Sequence, residues 1–312
     1  MNIRCFVLGE DEEKWVTVRN AAYKEEVGMR QITVEEFEAL EEAPEFDPEG
    51  RFLAELDGQA VGIVHAHVDK RRKDDKGFIR AFGVVPEFRG RGIEEKLAER
   101  AISELKLRAM KVIQAWANEN REDRVHLWET LGFKLVRKFS LMERNLSEIP
   151  SDIGENEEIL LKPLQEDSDE DLKTLNWLDN ECFKEHFNYR PSTLAHTTHS
   201  LRKDPFFMAQ NWFLAMLNEK PVGYIGVGID EKYNSDNNTK SGWIMDIGVL
   251  KPYRRRGIGI RLMLQGLATL KSQNMTTAIL GVDDWNVTKA IKLYEKVGFK
   301  VVKKDLTYET SV

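Results

Sequence analysis

The chain has 312 residues, enough for about two domains at the usual size of roughly 100 to 200 residues each. Its formal net charge of -7 argues against a broad phosphate-neutralising face, so no nucleic-acid partner is expected. The two cysteines, Cys5 and Cys182, lack C-x-x-C spacing, and no apolar stretch approaches the length of a membrane span. These features predict a reduced cytoplasmic protein that does not bind membranes.

The first half of the chain alternates short strands with amphipathic helices. An acid-rich stretch at 11–42 predicts one or two helices broken near Gly28, and Asp57-Gly58 predicts a tight hairpin turn. Helices are also predicted at 93–108 and 121–131. The predicted strands of this half are 3–8, 51–56, 60–68, 77–85, 112–117 and 134–143.

The same order of elements begins again after a polar stretch that contains Pro, Gly and Ser. Helices are predicted at 167–187 and 258–271. The predicted strands of this half are 159–164, 212–217, 222–229 and 243–249. This order predicts a first domain at 1–146, a linker at 147–157 and a second domain at 158–312.

One loop sequence occurs twice. RGRGIE at 89–94 recurs as RRRGIG at 254–259, which is 165 positions later, and each copy follows an apolar strand and opens an amphipathic helix. A single apolar helix face is usually core packing, but six elements in shared register predict a duplicated fold.

The second copy has the features of a phosphate-binding turn. A strand ending at Val249 that turns into a helix near Ile258 directs several backbone N–H groups, and the positive end of the helix dipole, at one spot. Gly257 and Gly259 leave room for a phosphate to touch the main chain, and the arginines at 254–256 add positive charge. The expected ligand is a diphosphate, although neither G-x-G-x-x-G nor the Walker sequence is present.

The pattern V-x-x-x-x-R-x-x-G-x-G at 249–259 resembles the acyl-CoA loop of the GNAT superfamily of N-acetyltransferases. The later pattern N-x-x-x-A-x-x-L-Y-x-x-x-G-F at 286–299 is similar to the family's motif beside the pantetheine arm. The tandem layout is similar to that of the mycothiol synthase group. The resemblance implies an α/β (α+β mixed sheet) fold, with two tandem GNAT-like domains that each have a mostly antiparallel central sheet flanked by helices.

The same resemblance implies acetyl-CoA as cosubstrate and no metal. In this family the backbone N–H near Val249 would stabilise the oxyanion, and Tyr294 would be the general acid. The alternative for Tyr294 is a core aromatic whose hydroxyl has found some partner. The expected cofactor-binding residues are Ile247, Gly248, Val249, Arg254, Arg255, Arg256, Gly257, Ile258, Gly259 and Asn286.

The general base is less well defined by the resemblance. Family members with a glutamate base carry it six residues before the valine, where this chain has Trp243. Asp246, three residues before Val249, is the nearest acid and the candidate catalytic base. The alternative is a polar residue on an open strand face, and a bulge in the strand would decide its direction.

The first half departs from the family at two key positions. Glu94 replaces Gly259 and Trp128 replaces Tyr294, so this half is predicted to be a degenerate, non-catalytic copy. No metal site is predicted. His196 and His199 lack a third ligand, and His65 and His67 are expected to be structural.

Together these residues predict an acetyl-CoA-dependent N-acetyltransferase that is active in its C-terminal domain as a monomer or homodimer. Its expected partner is a primary-amine acceptor on a small molecule or peptide. Residues 183–191 and a polar hairpin at 230–241 are expected to select that acceptor. The alternatives are a non-catalytic acyl-CoA-binding regulatory or scaffold protein, and an enzyme that uses another donor such as succinyl-CoA.

Overall fold

The computed structural model describes residues 1–26, 29–43, 46–149, 159–165, 167–203 and 209–312. The chain forms two compact units, residues 1–138 with 303–312 (unit 1) and residues 139–302 (unit 2). Gly28, where the first helices were predicted to break, and most of the predicted linker at 147–157 lie outside the described residues.

The N-terminal half contains six strands and four helices along its described residues. Asp57 and Gly58 both have positive φ, 52° and 83°, which the predicted two-residue hairpin turn requires. The elements are β1 (Asn2–Cys5), α1 (Glu12–Tyr23), α2 (Val34–Glu41), β2 (Arg51–Leu56), β3 (Gln59–Val68), β4 (Lys76–Val84), α3 (Ile93–Leu107), β5 (Val112–Asn118), α4 (Glu122–Thr130) and β6 (Lys134–Asn145).

The second half repeats this order with one further helix in its described part. The elements are β7 (Ile159–Pro163), α5 (Asp169–Phe183), α6 (Leu194–Lys203), β8 (Trp212–Leu217), β9 (Lys220–Ile229), α7 (Glu231–Asn237), β10 (Ser241–Val249), α8 (Ile258–Ser272), β11 (Thr277–Asp283), α9 (Ala290–Lys296) and β12 (Lys300–Ser311).

Each unit has the same sheet topology. In unit 1, β1 to β4 are antiparallel neighbours and β4 pairs in parallel with β5. In unit 2, β7 to β10 are antiparallel neighbours and β10 pairs in parallel with β11. The mixed, mostly antiparallel sheet predicted for each domain is therefore confirmed.

The final strand of each unit comes from the other half of the sequence. Residues 305–311 of β12 pair with β5 in unit 1, and residues 139–145 of β6 pair with β11 in unit 2. The compact units therefore differ from the ranges 1–146 and 158–312, which remain a proposal about the sequence repeat.

The repeated helices α3 and α8 bury the same apolar face in their own units. Leu97, Ala101 and Leu105 of α3 are buried in the core of unit 1. Leu262 and Leu267 of α8 are buried in the core of unit 2. Burial of a Leu side chain contributes about 1.5 to 3 kcal/mol, so these faces fix the helices that follow the repeated loops.

Two local predictions were wrong. The segment 230–241 is not a simple hairpin, because Asp230 accepts a hydrogen bond from the Tyr233 N–H (2.7 Å) and caps the short helix α7. Helix α5 ends at Phe183 rather than at 187. No helix in the described part of the chain combines the length and apolar character that a membrane crossing needs.

Candidate functional site

The repeated loop of unit 2 lies beside a gap between two strands. The parallel ladder of β10 and β11 joins only residues 241–243 to residues 277–279, and the described strands diverge beyond it. The Leu250 N–H donates to the Val222 carbonyl of β9 (2.9 Å). Because N–H groups alternate sides along an antiparallel strand, the Val249 N–H faces the gap, as an oxyanion donor must.

The loop itself turns through two left-handed residues before α8 begins. Arg255 has a φ of 65° and Gly257 has a φ of 82°. A Cβ built on Gly259 would lie 3.2 Å from Leu293 Cδ1, so this position has little room for a side chain. The first N–H groups of the 15-residue helix α8 have no partner within the helix and could bind an anion, and the diphosphate site here stays a prediction.

The three arginines of the loop do not have equal roles. The Arg254 guanidinium donates to the Val249 carbonyl (2.9 Å) and to the Cys182 carbonyl (3.1 Å), so it ties the loop to the end of β10 and to α5. Arg255 and Arg256 are exposed, and Arg256 lies over the Tyr253 ring at 5.6 Å. Positive charge for a diphosphate would therefore come from Arg255 and Arg256, with Arg254 fixing the turn.

Three other predicted cofactor residues differ in which of their groups could reach a ligand. Ile258 is a buried core side chain, so only its N–H can reach a ligand. Gly248 is needed for packing, because a Cβ there would lie 2.8 Å from Tyr224 Cε1 and 2.9 Å from Cys182 Cβ. The Ile247 N–H donates to Asp246 Oδ1 (2.8 Å), so this N–H orients the Asp246 carboxylate.

Asn286 shapes the turn that leads to α9. Its Oδ1 accepts from both the N–H and the hydroxyl of Thr288, each at 2.7 Å. No partner of its amide nitrogen is found among the described residues, so this nitrogen can donate to a ligand such as the pantetheine arm.

A bulge decides the direction of Asp246. Along β10, Ile244 pairs with Val227 but Asp246 pairs with Gly226, so Met245 is an extra residue in the strand. The Asp246 carboxylate accepts from the Tyr224 hydroxyl at 2.6 Å. The same hydroxyl lies 3.1 Å from Oδ1 of Asp179 on α5. Asp246 is therefore part of a carboxylate–tyrosine–carboxylate cluster inside unit 2.

The pKa of the Asp246 carboxyl is strongly raised. Burial and then the charge of Asp179 raise its pKa to about 7, although the bonds from Tyr224 and the Ile247 N–H act in the opposite direction. A carboxyl with a pKa near neutrality can take a proton at physiological pH and release it again.

Tyr294 of α9, the predicted general acid, is a buried tyrosine in the core of unit 2. Its ring packs edge-on against Phe299 with centroids 6.2 Å apart. Burial, followed by the charge of Asp246, raises the pKa of its hydroxyl well above the usual range. The hydroxyl therefore remains protonated, and its sensitivity to Asp246 brings the predicted acid and base into one electrostatic neighbourhood.

Sequence reasoning missed Asp179 and Tyr224. Tyr224 is one polar side chain in an otherwise apolar strand, a signal that also fits a core tyrosine. Asp179 lies on a helix rich in acids, where nothing distinguishes it from solvated neighbours. Only the packing of α5 against β9 and β10 brings the two residues together.

Unit 1 repeats the structural bonds of the loop. The Arg89 guanidinium donates to the Val84 carbonyl (3.1 Å) and to the Ala22 carbonyl (2.8 Å), as Arg254 does to Val249 and Cys182. This match aligns the two sites residue by residue. Counterparts of Asp179, Tyr224 and Asp246 in unit 1 are Arg19, Ile63 and Ala81.

The diverging strands of unit 1 are closed by aromatic side chains. The Tyr23 hydroxyl donates to the Phe82 carbonyl of β4 (2.9 Å), and the Trp128 indole donates to the Trp116 carbonyl of β5 (3.0 Å). The Tyr23 and Trp116 rings stack at 6.3 Å, with the buried Arg124 over both. In unit 1, side chains thus bond to a backbone carbonyl on each of the two diverging strands.

Glu94 is a second obstacle to phosphate binding in unit 1. Its side chain occupies the position of Gly259, and its Oε2 is buried without a hydrogen-bond partner in the described structure. Burial raises the pKa of this carboxyl. A phosphate approaching the start of α3 would meet this carboxylate directly.

A separate cluster in unit 1 has the residue types of a metal site. Potential ligand atoms of Asp47, His65 and His67 all lie within 4.8 Å of one another. However, Arg108 bonds to both Asp47 oxygens (2.8 and 2.9 Å), and the Val68 N–H also donates to Oδ2 (2.7 Å). The carboxylate is therefore already committed to an ion pair that holds the chain before β2 against α3.

The remaining candidate groups have no catalytic environment. His196 and His199 lie on α6 without a third ligand at metal-binding distance in the described part of the protein. Cys182 is buried, and burial raises the pKa of its thiol to about 12, which keeps it protonated and unreactive.

Comparison with known sequences gives one match in each half. A model of the acetyltransferase (GNAT) family matches residues 15–133 and 172–299. Mycothiol acetyltransferases of Thermomonospora curvata and Thermobispora bispora are 32% and 31% identical over 133 and 136 residues. Each match covers 43% of this chain and 44% or 46% of the relative, so less than half of each relative is spanned.

Comparison with solved structures extends over almost the whole chain. A GCN5-related N-acetyltransferase from Sphaerobacter thermophilus matches with a TM-score of 0.74 at 21% identity, covering 99% of this chain and 95% of that one. A tandem GNAT protein from the clavulanic acid biosynthesis pathway matches with a TM-score of 0.73 at 13% identity, covering 99% and 98%. At such identities the likeness concerns the fold. Because the family model matches most of the sequence, once in each half, the chain belongs to the GNAT acetyltransferase family.

Proposed function

We propose that unit 2 transfers an acetyl group from acetyl-CoA directly to a primary amine of a small molecule or peptide. The observation that carries the proposal is the gap between β10 and β11, which has the Val249 N–H on one edge and Asp246 and Tyr294 in one electrostatic neighbourhood. Membership of the GNAT family supports acetyl-CoA as the donor.

The residues of unit 2 fit acetyl-CoA in three respects. The amides at the start of α8 and the cations of Arg255 and Arg256 suit the diphosphate. The Asn286 amide suits the pantetheine arm. The Val249 N–H would donate to the thioester carbonyl oxygen, where negative charge develops when an amine attacks.

Asp246 and Tyr294 divide the proton transfers between them. The acceptor arrives as an ammonium ion, and Asp246 takes one proton so that the nitrogen lone pair can attack. Tyr294, held protonated by burial, donates to the departing thiolate, for which a cysteine-like thiol pKa near 8.5 is the model. No covalent link to the protein is required in this route.

We assign catalysis to unit 2 alone. Unit 1 lacks counterparts of Asp246 and Tyr294, and its strand edges are bonded to Tyr23 and Trp128. The rival function is a non-catalytic acyl-CoA-binding scaffold, which would need the loop of unit 2 but not the acid and base beside it.

The test is a CoA-release assay with acetyl-CoA and an amine panel of glucosamine, spermidine, lysine and a peptide with a free N-terminus. Release above the no-amine rate, lost in Asp246→Asn, would support the proposed transfer. Tight acetyl-CoA binding without release for any amine would favour the scaffold. Succinyl-CoA run beside acetyl-CoA would identify a different donor.

A further inference from the structure

The Tyr224 hydroxyl lies between two carboxylates, 2.6 Å from Asp246 and 3.1 Å from Asp179. A hydroxyl has one proton and can donate it to only one of them at a time. The shorter contact fits donation to Asp246. The longer contact becomes favourable when the proton turns towards Asp179, or when Asp179 is protonated and donates to the hydroxyl oxygen.

This cluster is not required by the fold. The same topology forms in unit 1 with Arg19, Ile63 and Ala81 at the corresponding positions. Bringing two carboxylates close to one buried tyrosine costs free energy, because their charges repel and are poorly hydrated. An arrangement that is costly and absent from the sister unit points to a chemical role.

We propose that Asp179 is a proton-positioning residue, which receives through Tyr224 the proton that Asp246 takes from the acceptor ammonium ion. This inference rests on the proposed acetyl transfer. Asp246 passes its proton to the Tyr224 oxygen while the Tyr224 proton passes to Asp179, which is partly exposed and can release it to water. Tyr224 stays neutral throughout, as its strongly raised pKa requires.

The proton count balances over one turnover. The ammonium ion and the thioester give an amide, a free thiol and one proton, as a C–N bond forms and a C–S bond breaks. One nitrogen proton leaves through Asp246, Tyr224 and Asp179. The second nitrogen proton replaces the one that Tyr294 gives to the thiolate, so every group returns to its starting state.

The groups that face Asp246 explain why the relay favours an ammonium acceptor. Asp179 and the neutral Cys182 face it from α5, Tyr224 from β9 and Tyr294 from α9. Nearby Arg254 is bonded to the carbonyls of Val249 and Cys182. The net charge of this cluster is negative, which attracts a cationic amine and repels an anion.

The experiment measures pH profiles of kcat/KM for Asp179→Asn and Tyr224→Phe, with the amine of the named panel that releases CoA fastest. Asp179→Asn removes a like charge, so the acid limb should move down by about one pH unit. Tyr224→Phe removes a hydrogen bond to the carboxylate, so the acid limb should move up. Both variants should lose about 10-fold in kcat and gain a larger solvent isotope effect.

The controls separate the relay from a structural effect. Asp179→Glu should recover most of kcat, and Glu170→Gln, an exposed charge loss on the same helix, should behave as wild type. If Asp179→Asn and Tyr224→Phe keep the wild-type profile while Asp246→Asn is inactive, the relay is wrong and the transfer stands. If wild type releases no CoA with any amine, both proposals fail.

Discussion

At the scale of single residues, the acid and base of the proposed site depend on burial rather than on residue type. Asp246 has a pKa raised to about 7, and the pKa of Tyr294 is raised well above its usual range. One shift makes a carboxyl a usable base at neutral pH, and the other keeps a phenol protonated. Both shifts require the packed interior of unit 2.

Tyr294→Phe should lower kcat about 100-fold, because the departing thiolate loses its proton donor. The dissociation constant of acetyl-CoA should stay within a factor of about two, since the lost hydroxyl is not expected to hold the cosubstrate in the ground state. Steady-state kinetics and calorimetric titration measure the two quantities. Tyr308→Phe, another buried tyrosine, is the matched control, and equal turnover in both variants would remove the assignment.

Asp246→Asn should stabilise the protein at pH 8 while abolishing activity. The folded-state pKa of about 7 lies above the ordinary value of 3.8, so the carboxyl lowers the stability of the fold progressively as pH rises from 3.8 to about 7. The gain should be on the order of 4 kcal/mol at pH 8 and should fall below about 1 kcal/mol at pH 4, where the unfolded chain is also largely protonated. Urea unfolding at the two pH values measures it.

Asp11→Asn provides a control of opposite sign. The Asp11 carboxylate is bonded to Arg4, which holds its pKa below the usual range. Its ionisation favours the folded state at pH 8, so this variant should be destabilised there. Equal stability changes in both variants would show that the environment of Asp246 has been misread.

At the scale of elements, the two copies of the loop have the same backbone bonds and the same turn. They differ in the side chains that surround the start of the helix and the gap between the strands. Arg89 and Arg254 make the same two backbone bonds, and Gly92 and Gly257 both take the left-handed conformation before the helix. The difference is concentrated at Glu94 and in the aromatic closure of the strands. The sequence motif therefore encodes a turn, and the ligand site requires an open cleft beside it.

Gly259→Glu should place in unit 2 the same side chain that, as Glu94, opposes phosphate binding in unit 1. The new side chain would crowd Leu293 and bring a negative charge to the start of α8, so the acetyl-CoA dissociation constant should rise at least about 10-fold. Calorimetric titration with acetyl-CoA measures it. Ala268→Glu, which adds the same charge at an exposed position of the same helix, should bind as wild type. Unchanged binding in Gly259→Glu would contradict a diphosphate site here.

At the scale of the whole molecule, the duplicated fold has one proposed reaction site. Both units have the same strand order, but the diverging strands of unit 1 are bonded to Tyr23 and Trp128. Each unit is completed by a strand from the other half of the sequence. These side-chain bonds in unit 1 are the reason that we assign the proposed reaction to unit 2.

Acetyl-CoA should titrate a single site per chain. Closure of unit 1 by aromatic rings and the half-buried Glu94 carboxylate both oppose a second site of comparable affinity. Calorimetry at a protein concentration above the dissociation constant measures the stoichiometry. Glu94→Gly alone should leave it at one, because the strand edges stay bonded, and two equivalent sites in wild type would overturn the assignment.

The sequence by itself determined the duplication, the class of fold and the two loops, because these follow from local periodicity and from glycine and turn chemistry that repeat in register. It also led to Asp246 and Tyr294, through spacing from the loop. The tertiary structure decided three features that the spacing of residues along the sequence does not determine. The bulge at Met245 aims Asp246, the packing of α5 adds Asp179 and Tyr224, and the exchange of final strands alters the unit boundaries. Those features depend on contacts between residues that are far apart in the chain. The burial of a side chain and the charges around it are set by several helices and strands together.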